Sequence, residues 1–239
     1  MAYQFDFAPV FDYTGLLLQG AGFTLALTAA GAAAGCAVGV LGGVCRAWRI
    51  QPFAALFKVY VELIRNTPFL VQLMFIFFGL PSLGIQLNEW QASLLTTVIN
   101  LGAYTTEIIR AGIQETPRGQ LEAANALGMG RWAYFRHVVL RPALQRVWPA
   151  LTSQIVIVML GTSVVSQIAA QDLTFAANFI QSRNFRAFET YMVVTAMYFL
   201  LAWFLRHVLT WVGQRWVVGR PAPKRQRAPQ AVAQQAHSS

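Results

Sequence analysis

EAANALGMGRWAYFRHVVLRPAL, residues 122–144, places Arg131, Arg136, His137 and Arg141 in a chain that is otherwise strongly apolar. Long apolar segments flank it on both sides, and no catalytic constellation accompanies its charges. Its meaning depends on those neighbours. Hydrophobic residues make up 56% of the 239 residues and charged residues 11%, about half the share usual in a soluble domain. Several runs reach the roughly 20 apolar residues that cross a bilayer. The chain reads as an all-α integral membrane protein, with 122–144 lying between two spans.

Periodicity and hydropathy predict five spans, near 14–44, 53–80, 90–113, 147–170 and 188–213. A segment 1–13 precedes them and a basic tail, 214–239, follows. The net charge of +9 is unevenly placed: the first 45 residues hold Asp6 and Asp12 but no Lys or Arg. Basic residues then cluster at 46–58, 110–146 and 206–227. Charge gathered between apolar spans reports topology rather than a nucleic-acid surface. The positive-inside rule puts the 46–58 connection, the 122–144 insert and the C-terminus in the cytoplasm, and the N-terminus outside. Only Arg183 and Arg186 then fall in an external loop. No basic stretch precedes the first apolar segment, which argues against a cleaved signal peptide.

Within span 1, Gly31, Gly35, Gly39 and Gly43 recur every fourth residue, the pattern of a seam that lets another helix approach closely. Cys36 and Cys45 sit on the same helix, too far apart to bridge. In the external loop, Leu173, Ala176, Ala177 and Ile180 have helical spacing and predict a short interfacial helix. The tail, rich in Pro, Ala, Gln and Arg without apolar period, reads as disordered.

Several function classes find no support. No G-x-x-x-x-G-K-[ST] occurs, so no P-loop binds ATP in this chain. His137, His207 and His237 are widely separated, no H-E-x-x-H occurs, and neither a metal site nor a Ser-His-Asp hydrolase is indicated.

Polar residues inside spans are costly and mark candidate function. Glu62 and Arg65 in span 2 are spaced to pair on a helix, and Pro68 breaks or bends that helix in mid-membrane. The break either lines a solute path or is a kink sealed by a neighbouring helix. Thr96, Asn100, Tyr104 and Glu107 form one polar stripe on span 3, with Arg110 a turn beyond Glu107. Span 4 carries Thr162, Ser163, Ser166 and Gln167 at i, i+4 spacings. These side chains line a path, or, especially for Ser and Thr, form hydrogen-bond glue between helices.

Residues 122–142 resemble the EAA loop of ABC-transporter permeases: Glu122-Ala123-Ala124, three residues, Gly128, and later Val138-Val139-Leu140. LLLQGAGFTLALT, ELIRNTPFLVQLMFIFFGLP, AYTTEIIRAGI, GTSVVSQIAAQDLT and RNFRAFETYMVV are similar, in the same order, to segments of the polar amino-acid permeases of the histidine/glutamine type. The likeness covers roughly residues 15–210. Two features depart from it: Arg141 separates Leu140 from Pro142, and Leu160-Gly161 stands where a Lys and a small or acidic residue are usual.

The resemblance implies a permease subunit of an ATP-driven importer in the bacterial cytoplasmic (inner) membrane. A cytoplasmic coupling helix, within about 118–142, would dock on an ATP-binding cassette subunit through Glu122, Ala123, Ala124 and Gly128. Glu122 suits a helix N-terminus, the alanines favour helix and leave room for docking, and Gly128 permits a turn. The partners implied are two ATPase subunits, a second permease copy or homologue, an external solute-binding protein and an amino acid. ATP and Mg would be bound by the ATPase, and no cofactor by this chain. Glu62, Arg65, Asn100, Tyr104, Glu107, Thr162, Ser163 and Ser166 are the candidate pathway residues. An opine, a cystine-like or other amine solute fits the same architecture, and an ATP-independent channel or carrier is the rival from another class.

Overall fold

The computed structural model describes residues 4–218. The short helix α1 (Ala8–Phe11) leads into α2 (Thr14–Ala47), 34 residues long. Then come α3 (Phe53–Arg65), α4 (Phe69–Met74), α5 (Glu89–Gln114) and α6 (Arg118–Ala126). Next, α7 (Arg131–Ala133) continues through a wide-turned π stretch, Tyr134–Leu140, into α8 (Arg141–Gly161) and a tighter 3-10 stretch, Thr162–Ile168. Finally come α9 (Leu173–Asn184) and α10 (Ala187–Val212), the latter prolonged by a π stretch through Val218. Among the described residues there is no strand.

Among the described residues three helices are long and apolar enough to cross a membrane: Thr14–Ala47, Arg131–Ile168 and Ala187–Val217. The pair Phe53–Arg65 and Phe69–Leu83, bent by 109°, makes a fourth when taken as one broken span. α5 is the most polar of the long helices, and its position explains how. Thr96, Thr97, Asn100, Thr105 and Thr106 are all buried, enclosed by the other helices. Thr96, Thr97 and Thr106 donate to carbonyls one turn back, on Ala92, Ser93 and Gly102. Polarity on a span is tolerated where protein, not lipid, surrounds it.

The glycine seam joins α2 to α5. A Cβ at Gly31 would meet Thr97, at Gly35 Leu101, at Gly39 Thr105 and at Gly43 Ile109. Both numbers rise in steps of four, so the two helices run parallel and in register. Only residues without side chains allow so long a close contact, which supplies dispersion contacts where lipid offers no hydrophobic driving force.

At one end of the bundle, Leu173, Ala176, Ala177 and Ile180 of α9 are the residues that pack inward, against Val10, Leu17 and Val194. The expected short helix is therefore present, with Leu173, Ala176, Ala177 and Ile180 on one face. Asp6 and Arg186 form an ion pair at 3.7 Å and Asp6 N–H donates to Glu189 at 3.2 Å, tying the N-terminal segment to the start of α10.

Boundaries differ from the sequence reading at two places. The span-4 helix starts at Arg131 rather than near 147, so the second half of the 118–142 region is the root of that helix. The π stretch at 134–140 leads straight into Pro142, near the start of α8. A wider turn there shifts the preceding carbonyls that the proline ring would otherwise strike. At the far end, helix continues to Val218 where the tail was expected to begin at 214, and residues 219–239 of that tail lie outside the described residues.

Candidate functional site

The break between α3 and α4 is the centre of the candidate site. Pro68 has an extended backbone (φ −65°, ψ 142°) and caps α4, so the carbonyls at the end of α3 lose their helical partners. Side chains replace them: Asn66 Nδ2 donates to Glu62 O at 2.7 Å, the Thr67 hydroxyl to Leu63 O at 2.9 Å, and the Gln72 amide to Ile64 O at 2.8 Å, to Thr67 O at 3.0 Å and to Thr67 Oγ1 at 2.8 Å. Its oxygen accepts from Asn100 Nδ2 at 3.0 Å. Gln72 and Asn100 are both buried. Of these, the buried Gln72 amide also fastens the broken end to α5.

Beside the break lies a polar cleft of about 350 Å³ lined by Arg46, Val61, Glu62, Arg65, Asn66, Tyr104 and Glu107. Glu107 accepts from Arg46 at 2.5 Å and also pairs with Arg110, as the spacing had suggested. Arg65 lies over the Tyr104 ring, 5.4 Å from its centroid. The expected Glu62–Arg65 pair does not form: Glu62 turns instead toward Lys58, 3.9 Å away. The rotation of α3 decides this, because it directs Arg65 at α5 while Glu62 stays at the rim.

The cleft gathers four of the sequence candidates, Glu62, Arg65, Tyr104 and Glu107. Asn100 lies one turn away along α5, held by Gln72. Thr162, Ser163 and Ser166 are elsewhere. The Thr162 hydroxyl donates to Met159 O at 2.6 Å and Ser166 to Ser163 O at 3.1 Å, so the first and last of these bond to their own helix. The tighter 3-10 winding also replaces their expected i, i+4 pairing with i, i+3. Sequence reading missed Arg46, which had served only as a topology marker, and Gln72. The signal for Gln72 was available: a buried amide one turn after a helix-breaking proline has orphaned carbonyls within reach.

The second element of interest is α6. Leu121 and Ala124 face the body of the protein, whereas Glu122, Ala123 and Asn125 are exposed. Glu122 is the fifth residue of α6, past the first turn where a helix dipole acts strongly, and that part of the sequence argument fails. The Gly128 expectation holds: its φ is +66°, Gly128 N–H bonds Asn125 O at 3.0 Å, and Met129 N–H bonds Ala124 O at 3.1 Å. These are the paired bonds of a Schellman stop. Just before Gly128, at the C-cap, Leu127 stands 80% exposed.

α5 lines the cleft with Tyr104 and Glu107 and, three residues past its end, becomes α6. A helical membrane protein that carries a polar cleft on one long helix and a short exposed helix directly after it has the form of a permease subunit. The family model described as binding-protein-dependent transport system inner membrane component matches residues 35–218, and the chain belongs to that family. Members are permease subunits of ABC importers, in which separate subunits hydrolyse ATP, so this chain is not itself an enzyme.

The chain is 36% identical over 210 residues to the glutamine transport system permease protein GlnP of Escherichia coli K12, covering 86% of this chain and 95% of that one. It is 33% identical over 182 residues to the nopaline transport system permease protein NocM of Agrobacterium fabrum, covering 69% and 75%. A crystal structure of an amino acid ABC transporter with histidines superposes with a TM-score of 0.80 at 35% identity, covering 87% of this chain and 98% of that one.

Proposed function

We propose that this chain is the inner-membrane permease subunit of an ATP-driven importer for polar amino acids, oriented N-out and C-in. Two copies, or one copy and a homologue, would enclose the pathway, with an external binding protein delivering solute to the face that carries α9. The observation that carries the reading is the short link between α5 and α6. α5, which supplies Tyr104 and Glu107 to the polar cleft, ends at Gln114, and after only Glu115–Pro117 the chain enters α6, whose Glu122 and the Gly128 turn behind it are exposed. ATPase subunits that close on ATP and grip α6 through Glu122, Ala123, Ala124 and the Gly128 turn would move α5 directly. ATP and Mg belong to those subunits.

The cleft supplies fixed charges of both signs, Arg46, Arg65, Glu62 and Glu107. A zwitterion with a polar side chain has matching groups, which supports an amino acid over an apolar solute. The nopaline relative supports an opine, itself an amino-acid derivative, as the second reading.

The test is ATP hydrolysis by the reconstituted complex with and without solute-loaded binding protein. We expect stimulation in the wild type, and loss of about tenfold or more for Glu122→Arg, within the usual range of coupling energies. Glu122 is exposed, so the variant folds. Solute flux without any ATPase subunit, or hydrolysis indifferent to the binding protein, overturns the reading.

A further inference from the structure

Arg141, the residue that interrupts the expected Leu-Pro, has no role in the cleft or in α6. It lines a separate groove of about 430 Å³ with Arg136, His137, Leu140, Leu144, Trp216 and Val217. The groove lies between the root of the span-4 helix and the end of α10, where Gln145 donates to Val217 O at 3.0 Å and fixes the two together. No lining residue is acidic. Among the described residues Arg136 and Arg141 form no ion pair, and both are exposed. His137 bonds Ala133 O through Nδ1 at 3.1 Å, which leaves Nε2 available. Trp216 is 77% exposed at the end of the span, the level at which tryptophan marks a membrane interface.

Two uncompensated guanidiniums at the foot of apolar helices call for an anion, and the surroundings say which kind. α10 leaves Phe199, Leu200, Trp203, Phe204 and Trp211 exposed along the same half of the helix. The groove itself lies at the ends of two helices long and apolar enough to cross a membrane, so a ligand with an anionic head and an apolar body suits it better than a free anion. Basic pockets between helices on the cytoplasmic side bind lipid head groups in this manner.

We infer that the Arg136–Arg141–Trp216 groove is a binding site for the head group of an anionic phospholipid of the cytoplasmic leaflet. The assignment to that leaflet rests on the orientation proposed above. A phosphodiester accepts from both guanidiniums, and the indole lies at the glycerol level. In this view Arg141 is a lipid contact rather than part of the coupling joint.

The test uses the purified full-length chain in neutral detergent and reads thermal unfolding and lipid retention by native mass spectrometry. Phosphatidylglycerol, phosphatidylcholine and inorganic phosphate are titrated in parallel. Phosphatidylglycerol is expected to raise Tm saturably, while phosphatidylcholine and phosphate are not. The double variant R136Q/R141Q is expected to lose about thirtyfold in apparent affinity, at roughly fivefold per cation near an anionic surface. Arg215→Gln, which removes one charge from the same end of α10 without lining the groove, is expected to bind like the wild type.

Equal response to phosphatidylcholine, or an equal loss in Arg215→Gln, overturns the site. A full effect of phosphate alone makes it a free-anion site and also overturns it. So does phosphatidylglycerol binding that appears only with an ATPase subunit present, which would give the groove to that partner. Should R136Q/R141Q not fold, the wild-type contrast between the two lipids still decides. Because no transport or hydrolysis is read, failure here is separate from failure of the importer reading.

Discussion

Asn100 Nδ2 donates to Gln72 Oε1 at 3.0 Å, across 28 residues of sequence and from α5 to the first turn after the Pro68 break. Gln72 in turn serves three acceptors on the broken end of α3. The two amides therefore play unequal parts. Gln72→Leu removes the partner of the buried Asn100 amide and of Thr67 O, at about 1–3 kcal/mol for each group left unpaired, while Ile64 O keeps its bonds from the Thr67 N–H at 3.5 Å and the Thr67 hydroxyl at 3.3 Å. Asn100→Leu leaves Gln72 bonded to the end of α3 and strands only the buried Gln72 Oε1, at about 1–3 kcal/mol. Denaturant or thermal unfolding in detergent should rank Gln72→Leu as the more damaging. Equal effects, or additivity in the double variant, would mean the amides are not coupled.

The α2–α5 seam makes a positional prediction. A Cβ at Gly39 would overlap the Thr105 side chain and backbone, whereas at Gly22, on the same helix, nothing lies within 4 Å. Gly39→Val should destabilise by about 1–3 kcal/mol, the usual cost of overpacking, and should lower the yield of folded protein. Gly22→Val should stay within about 0.5 kcal/mol of the wild type, as surface changes do. Comparable loss at both positions, measured by size-exclusion profile and Tm, would show that lipid packing rather than the α2–α5 contact governs α2.

Much of this was readable from residue patterns, and the reasons for the misses are physical. A four-residue glycine repeat names its own face, so the seam followed from sequence, but not which helix fills it. The face Leu173–Ala176–Ala177–Ile180 likewise followed from period alone. Glu62 with Arg65 had helical spacing, yet a long-range contact won: Arg65 found the Tyr104 ring. The same holds for Arg46, whose partner Glu107 is 61 residues away. Sequence period reports which residues share a helix face, and carries no information about which faces meet. The span-4 candidates lie apart from the cleft, and Thr162 and Ser166 bond carbonyls of their own helix, which residue spacing does not reveal.

Gly128 gives a prediction that separates backbone from side chain. At φ +66° with nothing near its Cβ position, the residue is required for its conformation and not for space. A β-branched residue there opposes the left-handed turn, at a cost of about 1–2 kcal/mol, and should unwind the Schellman stop. Asn, which tolerates this region, should keep it. Binding-protein-stimulated ATP hydrolysis should therefore survive Gly128→Asn and fall in Gly128→Val. If both variants couple normally, the turn is not part of the joint.

Asp172 sets a pH dependence outside the spans. It is fully buried at the start of α9, where its carboxylate caps Phe175 N–H at 2.8 Å and accepts from Tyr198 OH at 3.2 Å. Burial outweighs those bonds and pushes its pKa from 3.8 up to about 6. Between about pH 4 and 6 the folded state therefore holds a proton that the unfolded state has released. Stability falls as pH rises through that window, by up to about 3 kcal/mol from this group at about 1.36 kcal/mol per unit. Above pH 6 the cost is complete. Asp172→Asn keeps the cap, because Asn serves nearly as well at this position, and its amide can donate to the Tyr198 oxygen. The variant should match the wild type near pH 4 and exceed it at pH 8 in thermal unfolding. An unchanged pH profile in Asp172→Asn would assign the dependence to another group.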